Sequence, residues 1–157
     1  MNSDDIELRR AGPADSAAVA DVWLRSFNAA LPTVRRARPD EQIRTWFRIM
    51  VVPAREAWVA VADGEVIAMM VLDSAILDHL YVDPPWWGRG IGGALVGVAK
   101  RRRPAGLSLW TFQVNVPSQR FYRTHGFVEA QRTDGRRNEE REPDIRFEWR
   151  PKRPNGG

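Results

Sequence analysis

The sequence predicts a mixed α/β fold in which one sheet of mixed strand direction carries helices on both faces. Three features carry that expectation. Apolar residues recur at helical spacing through the first fifty positions. Short β-branched runs joined by Asp-Gly and Asp-Ser turns come next. Two strand–helix pairs and a closing hairpin then complete the order β-α-α-β-β-β-α-β-α-β-β. At 157 residues a single core is affordable, since a chain of about 150 residues buries roughly 68–70% of its unfolded surface. No repeat or linker divides it. Residues 1–150 read as one domain, and 151–157, PKRPNGG, as a flexible tail.

Each element has a local reason. Ile6–Arg10 reads as a short strand, and Asp15 as the cap of a helix whose apolar face is Ala18, Val19, Val22, Trp23 and Phe27. Asp40 and Glu41 open a second helix with Ile43, Trp46, Phe47 and Met50 inward, stopped at Pro53. Glu56–Val61 and Val66–Leu72 form a hairpin across Asp63-Gly64, and Ala75–Val82 is the next strand. A glycine-rich turn opens a helix over Gly90–Arg102. Leu107–Phe112 is a strand, Pro117–His125 a short helix ended by Gly126, and Phe127–Thr133 pairs with Ile145–Trp149.

Composition narrows the chemistry. There is no cysteine, which excludes disulfides, thiol nucleophiles and cysteine zinc sites, and two histidines are too few for a histidine zinc site. No metal is expected. The start, MNSDDIELRR, lacks the basic region and apolar segment of a signal peptide, and no apolar run approaches the ~20 residues of a membrane span. The expectation is a soluble, cytoplasmic protein with no membrane partner. The net charge is +4, with 22 arginines against two lysines, a balance that favours anionic ligands weakly. It lacks a basic helix interleaved with aromatics, so nucleic acid is not an expected partner.

Gly88-Arg89-Gly90-Ile91-Gly92-Gly93 matches the dinucleotide fingerprint in form, but five residues separate it from the strand and no ribose-binding acid follows at Ser108–Gln113. The Rossmann reading fails. A P-loop fails too, for want of Gly-Lys-Ser/Thr. What remains is a glycine turn whose backbone and helix N-terminus can hold a pyrophosphate. Leu80-Tyr81-Val82-Asp83-Pro84 followed by Gly88-Arg89-Gly90-Ile91-Gly92 resembles the acetyl-CoA motif of the GNAT N-acetyltransferases. Asn115, Phe121-Tyr122 and His125-Gly126-Phe127 resemble the family's second motif. Trp87 stands where the family usually has glutamine or arginine.

The resemblance implies the GNAT fold, a mostly antiparallel sheet splayed between its fourth and fifth strands, with acetyl-CoA as co-substrate. Leu80, Tyr81 and Val82 would offer backbone bonds to the pantetheine arm. Gly88, Arg89, Gly90, Ile91, Gly92 and Gly93 would wrap the pyrophosphate. Arg101–Arg103 either meet the adenosine phosphate or match the helix dipole. Asn115 would reach the pantetheine or cap the next helix. Tyr122, two turns on, would be the general acid. The family's carboxylate positions fall on Ile76 and Trp110, neither of them acidic. Asp78 is the expected base because strand alternation puts it on the face of residue 76 and His79 on the other. The acidic stretch Asn138–Asp144 would border the acceptor site and attract a cationic amine, or is simply a solvated hairpin. The implied activity is acetyl transfer to a primary amine of a small molecule or peptide, with a non-catalytic acetyl-CoA-binding regulatory domain as the alternative. A homodimer is compatible with either.

Overall fold

A computed structural model describes residues 5–152. The last five residues of the expected tail, and Met1–Asp4, lie outside the described residues. Seven strands form one sheet in the order β1-β2-β3-β4-β5-β7-β6. They are β1 Glu7–Arg10, β2 Glu56–Ala62, β3 Glu65–Asp73, β4 Ile76–Val82, β5 Leu107–Phe112, β6 Val128–Thr133 and β7 Asp144–Trp149. Every neighbouring pair is antiparallel except β4 with β5. The hairpin at Asp63-Gly64 has the two successive positive φ values, 53° and 74°, that its sequence announces.

The sheet separates two cores. On one face α1 (Ser16–Ala30), α2 (Asp40–Trp46) and the turn that follows it cover Val59, Met69 and Val71 with Val19, Val22, Trp23, Phe27 and Phe47. On the other, α4 (Ile91–Arg102), α5 (Val116–Thr124) and the turn after α5 cover Met70, Leu72 and Leu109 with Leu95, Val98, Tyr122 and Phe127. Alternation along β3 explains both: its residues 67–72 are buried on one face or the other, so that run is apolar throughout.

Two local expectations are corrected. Asp15 does not cap α1; its carboxylate takes both Arg9 guanidinium nitrogens, at 2.8 and 3.0 Å, and the Gly12 N–H at 2.7 Å, tying β1 to the turn. Met50 is 54% exposed rather than inward. A π-helical turn over Phe47–Val51 inserts an extra residue after α2, so the apolar stripe rotates and buries Val51 instead. The helix ends one residue beyond Pro53, in the single turn α3 (Val52–Ala54).

Candidate active site

The site begins where the sheet fails to close. β4 and β5 are joined at Ile76 and Ser108 alone, with the Ser108 N–H bonded to the Ala75 carbonyl at 2.9 Å, and beyond that point they part. The antiparallel register decides which backbone groups face the gap. The Asp83 N–H donates to the Ile67 carbonyl at 2.8 Å, so narrow pairs fall on odd residues of this stretch and Tyr81 pairs with Met69. Leu80 and Val82 therefore turn their peptide groups toward the gap, whereas those of Tyr81 are spent on β3. The Val82 carbonyl is engaged by the Ser26 hydroxyl (2.9 Å) and the Trp87 indole N–H (2.7 Å). The Leu80 peptide and the Val82 N–H remain.

At the mouth of the gap, Gly90 is the N-cap of α4 and no side chain caps the helix. The first intrahelical bond runs from Ala94 N–H to the Gly90 carbonyl, leaving the N–H groups of Ile91, Gly92 and Gly93 without helical partners. Gly88 and Gly90 have φ of +77° and +80°, and a Cβ at either would meet nothing within 4 Å. Both are glycine for conformation, and the space beside them is open. Gly92 and Gly93 are glycine for another reason. A Cβ there would lie 3.2 Å from the Phe121 ring and 3.0 Å from that of His125, so these two let α5 pack on α4. The Arg89 guanidinium rests 4.7 Å from the Trp86 ring centroid. Trp87 folds back onto Val82 rather than standing free for a phosphate. Arg102 and Arg103 are both held by Glu56, a structural pairing in line with dipole matching.

A cavity of about 800 Å³ opens beside the gap, lined among others by Tyr81, Trp110, Asn115, Glu140 and Asp144. Asn115 caps α5 by accepting the Ser118 N–H at 3.2 Å, and it still borders this space. Tyr122 is buried between Phe121 and Phe127, with ring centroids 5.1 and 5.5 Å away. Burial pushes its phenol above the ordinary tyrosine range, and a charge on Tyr81 would push it further. Burial also raises Tyr81, helped by the charge of Glu140.

A second cavity, of about 760 Å³, lies between α1, α2 and the β6–β7 loop, with Trp23, Trp46, His79, Glu41 and Glu140 in its lining. Here the expected base is corrected in position. β4 carries a bulge: Val71 pairs with His79 and Leu72 with Leu77, so Asp78 is the extra residue and alternation breaks. Its carboxylate turns to Arg55 at 2.6 Å and to within 3.5 Å of His79 Nε2, and it lines neither cavity. His79 packs among Trp23, Trp46 and Phe47, and its buried Nε2 lacks a hydrogen-bond partner. The β6–β7 loop is pinned from inside. Asn138 bonds to the Glu142 backbone through both amide atoms and reaches the buried Asp144, which also holds the Thr133 hydroxyl.

The model of the GNAT acetyltransferase domain matches residues 53–129, the span that contains the gap, the glycine loop and Tyr122. The peptidyl-lysine N-acetyltransferase YjaB of Salmonella typhimurium (strain LT2) is 30% identical over 133 residues, 82% of this chain and 88% of that protein. The chain belongs to the GNAT acetyltransferase family. It is an N-acetyltransferase by class. The solution structure of apo YjaB from Escherichia coli has the same fold, with a TM-score of 0.76 over 92% of this chain and 97% of that one at 23% identity. So has the PaiA N-acetyltransferase of Thermoplasma acidophilum, solved in complex with coenzyme A, with a TM-score of 0.70 over 93% and 99% at 19% identity. Among the described residues, no helix of this GNAT protein is long and apolar enough to cross a membrane.

Proposed function

We propose that the chain transfers the acetyl group of acetyl-CoA to the side-chain amine of a peptidyl lysine. One observation carries the reading: the gap between β4 and β5 runs from an uncapped helix N-terminus to a cavity beside Asn115 and Glu140. An acyl-CoA is a long ligand with an anion at one end and a thioester at the other, and the gap offers groups for each. N–H groups of Ile91, Gly92 and Gly93 and the helix dipole suit the pyrophosphate. The free Leu80 peptide groups and the Val82 N–H suit the amides of the arm. The lysine acceptor is supported by the 30% identity to a protein named a peptidyl-lysine N-acetyltransferase, and by aromatic rings beside acids in the second cavity.

When bound, acetyl-CoA supplies an activated acyl carbon. The chain's residues do the rest. Tyr122, kept protonated by burial, donates its hydroxyl hydrogen toward the sulfur as the carbon–sulfur bond weakens. Asp78, charge-paired with Arg55, is poorly placed as the base. Thiol release from acetyl-CoA, measured with lysine peptides, free amino acids and small polyamines, tests the reading. Turnover with lysine peptides above the other acceptors is expected. Binding of acetyl-CoA with no thiol release from any amine would establish the regulatory alternative.

A further inference from the structure

We propose that Glu140, on the β6–β7 loop, receives the proton of the acceptor ammonium and so takes the place of the carboxylates absent at Ile76 and Trp110. The inference rests on the amine-acetylating reading above. A lysine amine with a pKa near 10.4 is almost wholly charged at pH 7, and must lose a proton before it can attack.

Elimination leaves few candidates. Asp78 belongs to Arg55. His79 is disqualified by its tautomer: the Trp23 indole N–H donates to His79 Nδ1 at 3.2 Å, and an indole nitrogen can only donate. The neutral ring thus carries its hydrogen on Nε2, a buried donor 3.5 Å from the Asp78 carboxylate and not a base. Glu139 is tied to Arg38.

Glu140 satisfies what the others fail. Among the described residues it is the one that lines both cavities, and it stands at their junction beside Tyr81. No salt bridge among the described residues engages it. Its loop is held by the Asn138 bonds to Asp144 and to the Glu142 backbone on either side of it. The second cavity gives a cation a route to it, past Trp23, Trp46 and the acid Glu41. Burial lifts the Glu140 carboxyl above its usual range, a hydrogen bond from its own backbone works against this, and the charge of Glu139 adds to the lift. The other groups around it are Glu41 of α2 and Asp144 of β7 on the acidic side, Arg38, Arg136 and Arg137 on the basic side, and the neutral His79 and Tyr81 of β4.

The step balances. One ammonium proton passes to Glu140, and the freed lone pair forms the nitrogen–carbon bond to the acetyl group as the carbon–sulfur bond breaks. A second nitrogen proton leaves to water; the third stays in the amide. Sulfur takes the Tyr122 proton, and water restores it. Glu140 then returns its proton to solvent, so ammonium and thioester give amide, thiol and one proton.

The test compares pH–rate profiles of kcat/KM for wild type, Glu140→Gln and Asp78→Asn on a lysine peptide, alongside 13C NMR titration of the glutamate carboxyls in the free protein. Glu140→Gln should lower kcat by about 10²–10⁴-fold, remove the acidic limb and leave acetyl-CoA affinity within twofold. Asp78→Asn should keep the limb. One glutamate resonance, missing in Glu140→Gln, should titrate at the pH of that limb, above the ordinary glutamate range. An acidic limb that survives in Glu140→Gln, or vanishes in Asp78→Asn, overturns the assignment while the acetyltransferase reading stands. A wild-type chain that releases thiol with no amine overturns both.

Discussion

The Trp23 indole N–H donates to His79 Nδ1 across 3.2 Å, joining the middle of α1 to the bulged part of β4. The bond fixes more than packing. It sets the imidazole tautomer within a shell of Trp46 and Phe47 and leaves a buried Nε2–H 3.5 Å from the Asp78 carboxylate, without a formed hydrogen bond.

His79 also makes stability depend on pH. Burial lowers its pKa, with Arg55 acting the same way and Asp78 opposing. The unfolded chain then binds a proton below the ordinary histidine value that the native chain does not. Native stability should therefore rise with pH through that range and level off above it, with a slope of at most about 1.4 kcal/mol per pH unit for one proton. Urea unfolding between pH 5 and 8 measures it. His79→Asn, which keeps an acceptor near Nδ1 but cannot titrate, should flatten the slope by up to one proton. His125, lowered by burial and by Lys100, keeps its own share. An unaltered slope would mean that His79 is not held neutral.

The glycines of the α4 loop should separate into two kinds. Gly90→Val places a β-branched side chain in open space at φ +80°. It should cost about 1–2 kcal/mol of stability and at least tenfold in acetyl-CoA affinity, since the Cβ occupies the space a phosphate needs. Gly93→Ala sets a methyl 3.0 Å from His125, so it should lower the melting temperature more than the affinity. Calorimetric titration with acetyl-CoA and thermal melts of both variants decide it. Equal affinity in Gly90→Val and wild type would remove the pyrophosphate from this loop.

How much of this was legible depends on the range of the interaction. The Asp63-Gly64 hairpin, the glycine loop and the Asn115 cap are local, and residue type with spacing announced them. The bulge at Asp78 was not legible, because period two is the only signal a short strand offers and nothing in Leu77-Asp78-His79 marks an insertion. Nor was the π-turn that turns Met50 outward, which helical periodicity smooths over. Trp87 reads as a departure from the family motif until its bond to the Val82 carbonyl is seen. Glu140 was visible only as one acid among several in Asn138–Asp144. What singles it out is a junction between cavities that α2, β4 and a loop more than fifty residues away build together.

Tyr122→Phe should lower kcat by about 10²–10⁴-fold and change the acetyl-CoA KM little, because the ring and its packing on Phe127 survive. Burial raises the phenol above 10, so its ionisation should not produce an alkaline fall in rate below pH 10. Steady-state rates from pH 6 to 10, with a solvent isotope effect to confirm that proton transfer limits, make the measurement. Wild-type turnover in the variant would reduce Tyr122 to a packing residue.

Asp144 should act on turnover through the loop that carries Glu140. Its two carboxylate oxygens hold the Thr133 hydroxyl and the Asn138 amide, and that amide in turn holds the backbone of Glu142. Asp144→Asn replaces one charged acceptor by a donor, so one of these bonds fails. Bonds to charged groups are worth about 1.5–3 kcal/mol, enough to let a ten-residue loop move without unfolding the sheet beneath it. The expected result is a roughly tenfold fall in kcat, about 1.4 kcal/mol in barrier, with acetyl-CoA affinity retained. A double-mutant cycle distinguishes positioning from general damage. If Asp144 serves only to seat Glu140, adding Asp144→Asn to Glu140→Gln should lower kcat no further. A second tenfold loss in the double variant would show that Asp144 acts elsewhere, on the cavity wall that it lines itself.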